Sequence, residues 1–314
     1  MRYAWITAAM LLILFRSAVI AQLPPGTATD PHEANLIYDD VKNFAQTLKV
    51  MSSGCDSAAI VQREYLDKAS PGLKYYIDDL GLTAEAFVKA IRKRPSEFAA
   101  LQNLPQKLIA QEKMVRDAFV KLKQFIPDAV FLPTYLVIGP WRNHSEASEQ
   151  GLLISVEGYH GAEDNVCTIA HEHTHIQQAL SQGLEQYQAI YGPEKSLLAL
   201  TIREGTADFF AYLITERITL THDWALDYTQ KHEKMLWERF RKEMHGRETG
   251  DWMWAKPKDT EQPRDVGYSL GLLIVQAYYD NADDKAQAVR EILSVIDSPA
   301  FLEKSGYAKK FADQ

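Results

Sequence analysis

The sequence predicts an α+β fold that is mostly helical, with a small β-sheet set beside one long helix. Apolar residues recur on a helical period from Asn35 to Lys123 and again in segments between Asp164 and Ile296. Between these stretches lie two short runs rich in aromatic and branched residues, Ala129 to Ile138 and Leu152 to Val156, which read as strands. With 314 residues, 46% of them hydrophobic, the chain can bury one substantial core or two lobes around a cleft.

Residues 1–21 carry Arg2, an apolar stretch from Ala8 to Phe15, and the small residues Val19 and Ala21. This is the pattern of a cleaved secretory signal, although Arg16 shortens the apolar run. The run is too short to span a bilayer, so the expectation is export to a bacterial periplasm or the extracellular space, with no stable membrane anchor after cleavage. Residues 22–34 (QLPPGTATDPHEA) read as a flexible tether. Residues 35–127 read as an N-terminal helical region broken at Pro71-Gly72, Gly81 and Pro95, with Thr83 and Ser96 as helix caps. Residues 128–314 form the region that carries chemistry.

In that region the two strands are joined by a polar loop, Gly139 to Gln150, of a length that allows antiparallel pairing. Asp164 or Asn165 caps a helix running to about Leu184; further helices cover Pro193 to Leu213 and Asp223 to His245. A Gly/Pro-rich loop carrying Trp252 and Trp254 follows, then closing helices at Leu270 to Tyr279 and Lys285 to Ile296. The net charge of -8 and the lack of a basic patch argue against nucleic-acid binding. The two cysteines, Cys55 and Cys167, either pair in an oxidising compartment or stay as separate buried thiols.

The chemistry lies in VCTIAHEHTHIQQAL. His171 and His175 are four residues apart on one helix, so both imidazoles reach a single metal from the same face. Glu172 sits beside them and serves as the general base that takes a proton from the attacking water. His173 points away from that face and is read as non-ligating, in a supporting or surface position. Cys167, one turn before His171, is expected near the metal-facing side as a disulfide partner or buried thiol rather than a ligand.

A site of this type needs a third ligand. LTIREGTADFFAYLI supplies Glu204, 29 residues beyond His175, on a helix that can pack against the first. Asp208, four residues later on the same face, is placed to accept a hydrogen bond from the far nitrogen of a ligand histidine. Gly205 and Ala207 are small enough to let the two helices approach. The expected cofactor is one Zn2+.

HEHTHIQQ followed by REGTADFFAYL resembles the gluzincin class of zinc peptidases. FLPTYLVIG, GLLISVEG and GYSLG more narrowly resemble a bacterial group of predicted zinc-dependent proteases related to gliding-motility lipoproteins. The likeness runs from about Val130 to Tyr279. It implies a zincin-like core, His171, His175 and Glu204 as ligands, Glu172 as base, Asp208 as the partner of His171, and a peptide or protein substrate. It also implies that Leu152 to Val156 is the edge strand beside the cleft, able to pair with an extended peptide. Where relatives often carry a glycine-rich loop, this chain has PWRNHSEASEQ, so specificity does not carry over.

Hydrolysis requires one more donor to the oxyanion, and Tyr268 in DVGYSLG is the first choice over His222 and His245, which read as surface residues. Arg203 and Arg264 are candidates for pairing with site carboxylates or with a substrate carboxylate. His144 and His160 read as loop histidines, and Trp252 and Trp254 either wall the cleft or pack in the core. Two other functions fit the same residues: an inactive binding or structural protein on a metallopeptidase scaffold, and a zinc hydrolase of a non-peptide substrate.

Overall fold

The computed structural model describes residues 23–51, 57–142, 144–148, 150–192 and 195–311. The expected signal segment and Cys55 lie outside these residues. The fold is helical with one small mixed sheet, in agreement with the sequence reading. The sheet has the order β1 (Leu36–Ile37), β2 (Thr134–Val137), β4 (Gly151–Ser155), β3 (Glu146–Ser148). Its central strands read as nearly unbroken apolar runs because helices cover them, and β2 is buried at every position.

The pairing departs from expectation in two ways. β2 and β4 run parallel, with Thr134 opposite Leu152 and Val137 opposite Ser155. The chain between them reverses twice, because β3 forms inside the expected polar loop and pairs antiparallel with β4. β3 therefore occupies the edge, and Leu152 to Val156 is an inner strand. Glu146, Ala147 and Ser148 have little intrinsic preference for strand, so this edge comes from its neighbour rather than from local sequence.

The expected tether is also ordered. Ala28 forms a bridge with Phe131, two N–H···O bonds of 2.8 Å, and both Pro31 and Ala34 are buried. Arg116 donates from Nη1 to the carbonyls of His32 at 2.8 Å and Ala34 at 3.2 Å. Backbone groups that would otherwise face water thus find partners on a helix 82 to 84 residues away in the chain.

The N-terminal helices are α1 (Asp39–Met51), α2 (Ser57–Glu64), α3 (Pro71–Leu80), α4 (Ala84–Lys93), α5 (Pro95–Ala100), α6 (Leu104–Ala110) and α7 (Glu112–Phe125). Thr83 caps α4 by accepting from the Ala86 N–H. Ser96 is not a cap: Pro95 occupies the first turn of α5, and the Ser96 hydroxyl donates to Glu97 instead.

The rest of the chain forms α8 (Ala162–Gln182), α9 (Leu184–Ala189), α10 (Leu197–Thr215), α11 (Leu220–Lys231), α12 (Glu233–Glu243), α13 (Val266–Asn281), α14 (Lys285–Leu293) and α15 (Ser298–Ser305). The single helix expected over Asp223 to His245 is divided at His232, where φ is -117° and ψ is 20°. Each half buries its own stripe: Ala225 and Thr229 in α11, Leu236, Trp237 and Phe240 in α12.

α10 is buried nearly throughout and lies between α8 and α13. A helix apolar on every side belongs in the middle of a core. Its closest neighbour is α13, and the crossing is set by two glycines. A Cβ on Gly205 would stand 2.1 Å from the Gly271 carbonyl carbon, and one on Gly271 would stand 1.9 Å from the Thr201 oxygen. Gly205 thus serves the α10–α13 contact and not the approach of α10 to α8.

The back of α8 is equally committed. His173 is fully buried against Phe119 and Phe131, with ring centroids 4.5 and 5.8 Å away, and one ring nitrogen lies 3.2 Å from Thr134 Oγ1. It is a core residue, not a surface one, and burial pushes its pKa down to about 3.

Two outcomes follow from this packing. Gly271→Ala should cost about 3 kcal/mol of stability or prevent folding, since neither backbone can retreat; urea denaturation measures it. His173 stays neutral when folded but takes a proton near its ordinary pKa of about 6.5 once unfolded. Its contribution to stability is therefore constant above pH 6.5 and falls by about 1.4 kcal/mol per pH unit as the pH drops from 6.5 toward 3. Comparing the pH dependence of stability in His173→Phe and the parent should show this slope reduced in the variant.

Candidate metal centre

One face of α8 forms the floor of a cleft of about 990 Å³. The residues on it are Asp164, Asn165, Thr168, His171, Glu172 and His175, a spacing that repeats every three to four residues. The cleft lies between this helix, the loop and edge strand from Trp141 to Ala147, and residues of α10, α11 and the loop before α13.

His171, His175 and Glu204 meet at its base. The two Nε2 atoms are 3.1 Å apart, and Glu204 Oε2 lies 3.5 Å from that of His171 and 3.3 Å from that of His175. A tetrahedral ion with bonds of about 2.0 to 2.1 Å holds its ligand atoms about 3.3 Å from one another, so the triangle fits such an ion. All three residues are buried, and the cluster could hold a metal ion.

Each of the three has a supporting contact on its outer side. Asp208 Oδ1 is 2.8 Å from His171 Nδ1, Gln178 Oε1 is 2.8 Å from His175 Nδ1, and the Tyr191 hydroxyl donates to Glu204 Oε1 at 3.4 Å. The first two contacts fix the ring tautomers so that both Nε2 atoms face the centre. Gln178 is anchored in turn by donating to the Arg203 carbonyl at 3.1 Å.

The electrostatics match this arrangement. Burial by itself would raise the pKa of Glu204, but the attraction of His175 and the hydrogen bonds to both imidazoles hold its carboxyl well below the usual range. Asp208 is likewise penalised by burial, yet His222 and His171 keep it ionised, with a pKa of about 2. Glu172 is pushed up, first by desolvation and then by Glu204, while the two histidines pull it back. A carboxylate with a raised pKa and an opening to the cleft is suited to accepting and returning a proton.

The other residues singled out in the sequence fall into three groups. Tyr268 enters the cleft on the first turn of α13. Its ring stacks on His171 at 6.1 Å and its hydroxyl accepts from Trp254 Nε1 at 2.8 Å. Burial raises its pKa well above the ordinary value, so it stays a neutral hydroxyl. Trp254, Arg264, His144 and His160 also line the cleft, whereas Trp252 is core. Cys167 is a free buried thiol 3.2 Å from Thr215 Oγ1 and stands outside the triangle. Four residues along a helix advance the direction by about 40° beyond a full turn, enough to aim it at the end of α10.

His222 is a correction. It is not a surface residue: its Nδ1 lies 2.9 Å from the same Asp208 oxygen that His171 uses, and its ring packs on Tyr268 at 4.5 Å. The chain leaves α10 at Glu216 in a left-handed turn, and α11 then brings His222 back over the site. No periodic pattern links the two helices across that turn. Gln178, by contrast, follows His175 by three residues on the same face and was accessible to spacing. Arg203 pairs with no site carboxylate; its guanidinium packs on Tyr187 and Tyr191.

Residues 145–295 match the model of a family described as predicted Zn-dependent protease (DUF2268). The matched segment runs from the edge strand through α14 and contains the whole triangle, Glu172, Asp208, His222 and Tyr268. No curated protein and no solved structure matches the chain.

Metal analysis of the untagged protein should find one bound ion per chain and much less in Glu204→Ala. Asp208→Asn, which removes the charge behind His171, should weaken metal affinity by about 10- to 100-fold, read by competition with a chelator of known affinity.

Proposed function

We propose that the protein is a zinc-dependent peptidase that uses water as its nucleophile. The observation that carries this reading is the triangle of His171 Nε2, His175 Nε2 and Glu204 Oε2, closed on the protein side and open to the cleft. The family match supports the same chemistry. Zinc is the ion expected for two imidazoles and a carboxylate, and when bound it supplies a Lewis acid that polarises the scissile carbonyl and acidifies water.

The residues then divide the work. Glu172 takes the proton as the water oxygen bonds to the carbonyl carbon, and returns a proton to the amide nitrogen as the C–N bond breaks. Asp208 and Gln178 hold the two imidazoles in place. Tyr268, kept neutral by its surroundings, offers its O–H to the developing oxyanion, with its oxygen already oriented by Trp254. His222, seated between Asp208 and Tyr268, keeps that ring against the site. The apolar run at residues 8–15 supports export, which would present the cleft to peptides outside the cytoplasm. Among the described residues no helix is long and apolar enough to cross a membrane.

The test is hydrolysis of an unstructured protein or peptide mixture by the zinc-loaded enzyme. Glu172→Gln should keep its metal and lose activity by about 10²- to 10⁴-fold, and Tyr268→Phe should lower kcat by about 10²-fold with little change in KM. Full activity in a metal-loaded Glu172→Gln would refute this mechanism.

A further inference from the structure

The cleft wall next to Glu204 is aromatic and is built in an unusual way. Tyr187 in α9 and Tyr191 just beyond it both line the cleft. α9 buries none of its residues, so no apolar face of its own seats it on the body. Arg203, the residue before Glu204, does so instead. Its guanidinium carbon lies 3.2 Å from the Tyr187 ring centroid and 4.3 Å from that of Tyr191, and Nη2 donates to the Tyr187 carbonyl at 2.6 Å. Arg203 is 3% exposed, and its Nε and Nη1 are buried without hydrogen-bond partners. The two aromatic faces therefore take the place of water around a buried cation.

We propose that Tyr187 and Tyr191, backed by Arg203, form the side-chain subsite beside the metal triangle, selecting a large apolar or aromatic residue next to the scissile bond and rejecting a basic one. The inference rests on the peptidase reading for the bond that is cut. Its physical basis is the sharing of one ring by two cations. A tyrosine face binds a cation through its negative quadrupole, and here that quadrupole already serves Arg203 from behind. A substrate Lys or Arg would meet a depleted ring with a fixed positive charge a few ångströms beneath it. An apolar or aromatic side chain meets the same area without that repulsion and gains from removing it from water. The nearby carboxylates of Glu172 and Glu204 would by themselves invite a basic residue, so Arg203 reverses the local preference.

The experiment measures binding rather than turnover. Two small hydroxamates, one bearing a benzyl group and one a 4-aminobutyl group, are titrated into zinc-loaded protein by calorimetry. The benzyl probe should bind at least about tenfold more tightly, the worth of one well-packed aromatic contact. Tyr191→Ala, titrated at saturating zinc because its hydroxyl contact to Glu204 is lost, should remove most of that difference. Tyr191→Phe, which loses only that hydroxyl, should keep it, and Arg203→Met should tighten the aminobutyl probe. Tyr191 is 51% exposed, so its variant retains the fold even if the Arg203 variant does not. Equal affinities in the parent, no binding of either probe, or a difference unchanged in Tyr191→Ala would overturn the subsite. Peptide hydrolysis without side-chain preference would sink the subsite alone, whereas discrimination between probes without peptide hydrolysis would sink the peptidase reading alone.

Discussion

Two carboxylates in a helix buried on nearly every side are the constraint on which the site depends. Glu204 and Asp208 sit one turn apart on α10, each almost fully removed from water. An ionised carboxylate in such a place is tolerable only when paired. The partners come from α8 and α11: His171 and His175 face Glu204, and His171 and His222 share one oxygen of Asp208. Removing α8 would leave Glu204 without either imidazole, and removing α11 would leave Asp208 with His171 alone, so these charges also constrain how the helices assemble.

The contact of α10 with α13 is steric rather than electrostatic. Gly205 and Gly271 let α10 and α13 cross with their backbones in contact, which sets the depth of α13 and hence the position of Tyr268. On the opposite side, His173 is locked between Phe119, Phe131 and Thr134, so the back of α8 cannot rotate without breaking the core. The cleft face of α8 is thus held from behind by packing and from the side by charge. The aromatic wall at Tyr187 and Tyr191 is attached differently, through one cation, and has no apolar face of its own.

Much of the centre was legible because its spacing is helical. Residues four apart on a helix must share a face, so His171 with His175 and Glu204 with Asp208 could be paired before any tertiary contact was known. The α+β class was legible for a similar reason, since long periodic segments identify helices well. What failed were features with weak local signals. β3 is made of Glu, Ala and Ser, the ordered N-terminal segment is rich in Pro and Gly, and the parallel pairing of β2 and β4 depends on where β3 goes. His222 was misread because the left-handed turn at Glu216 breaks the periodicity that would have tied it to Asp208.

By itself, then, the sequence determined most of the helices and the two pairs of side chains, His171 with His175 and Glu204 with Asp208, that share a helix face, because each follows from the geometry of a single helix. Only the tertiary structure decided that Glu204 meets the two histidines at 3.3 to 3.5 Å, that Asp208 serves two histidines, that β3 rather than β4 is the edge, and that Arg203 turns away from the carboxylates toward two tyrosines. The physical reason is range. Helical periodicity constrains neighbours within a few residues, whereas these contacts join segments whose meeting depends on how the whole core fills space.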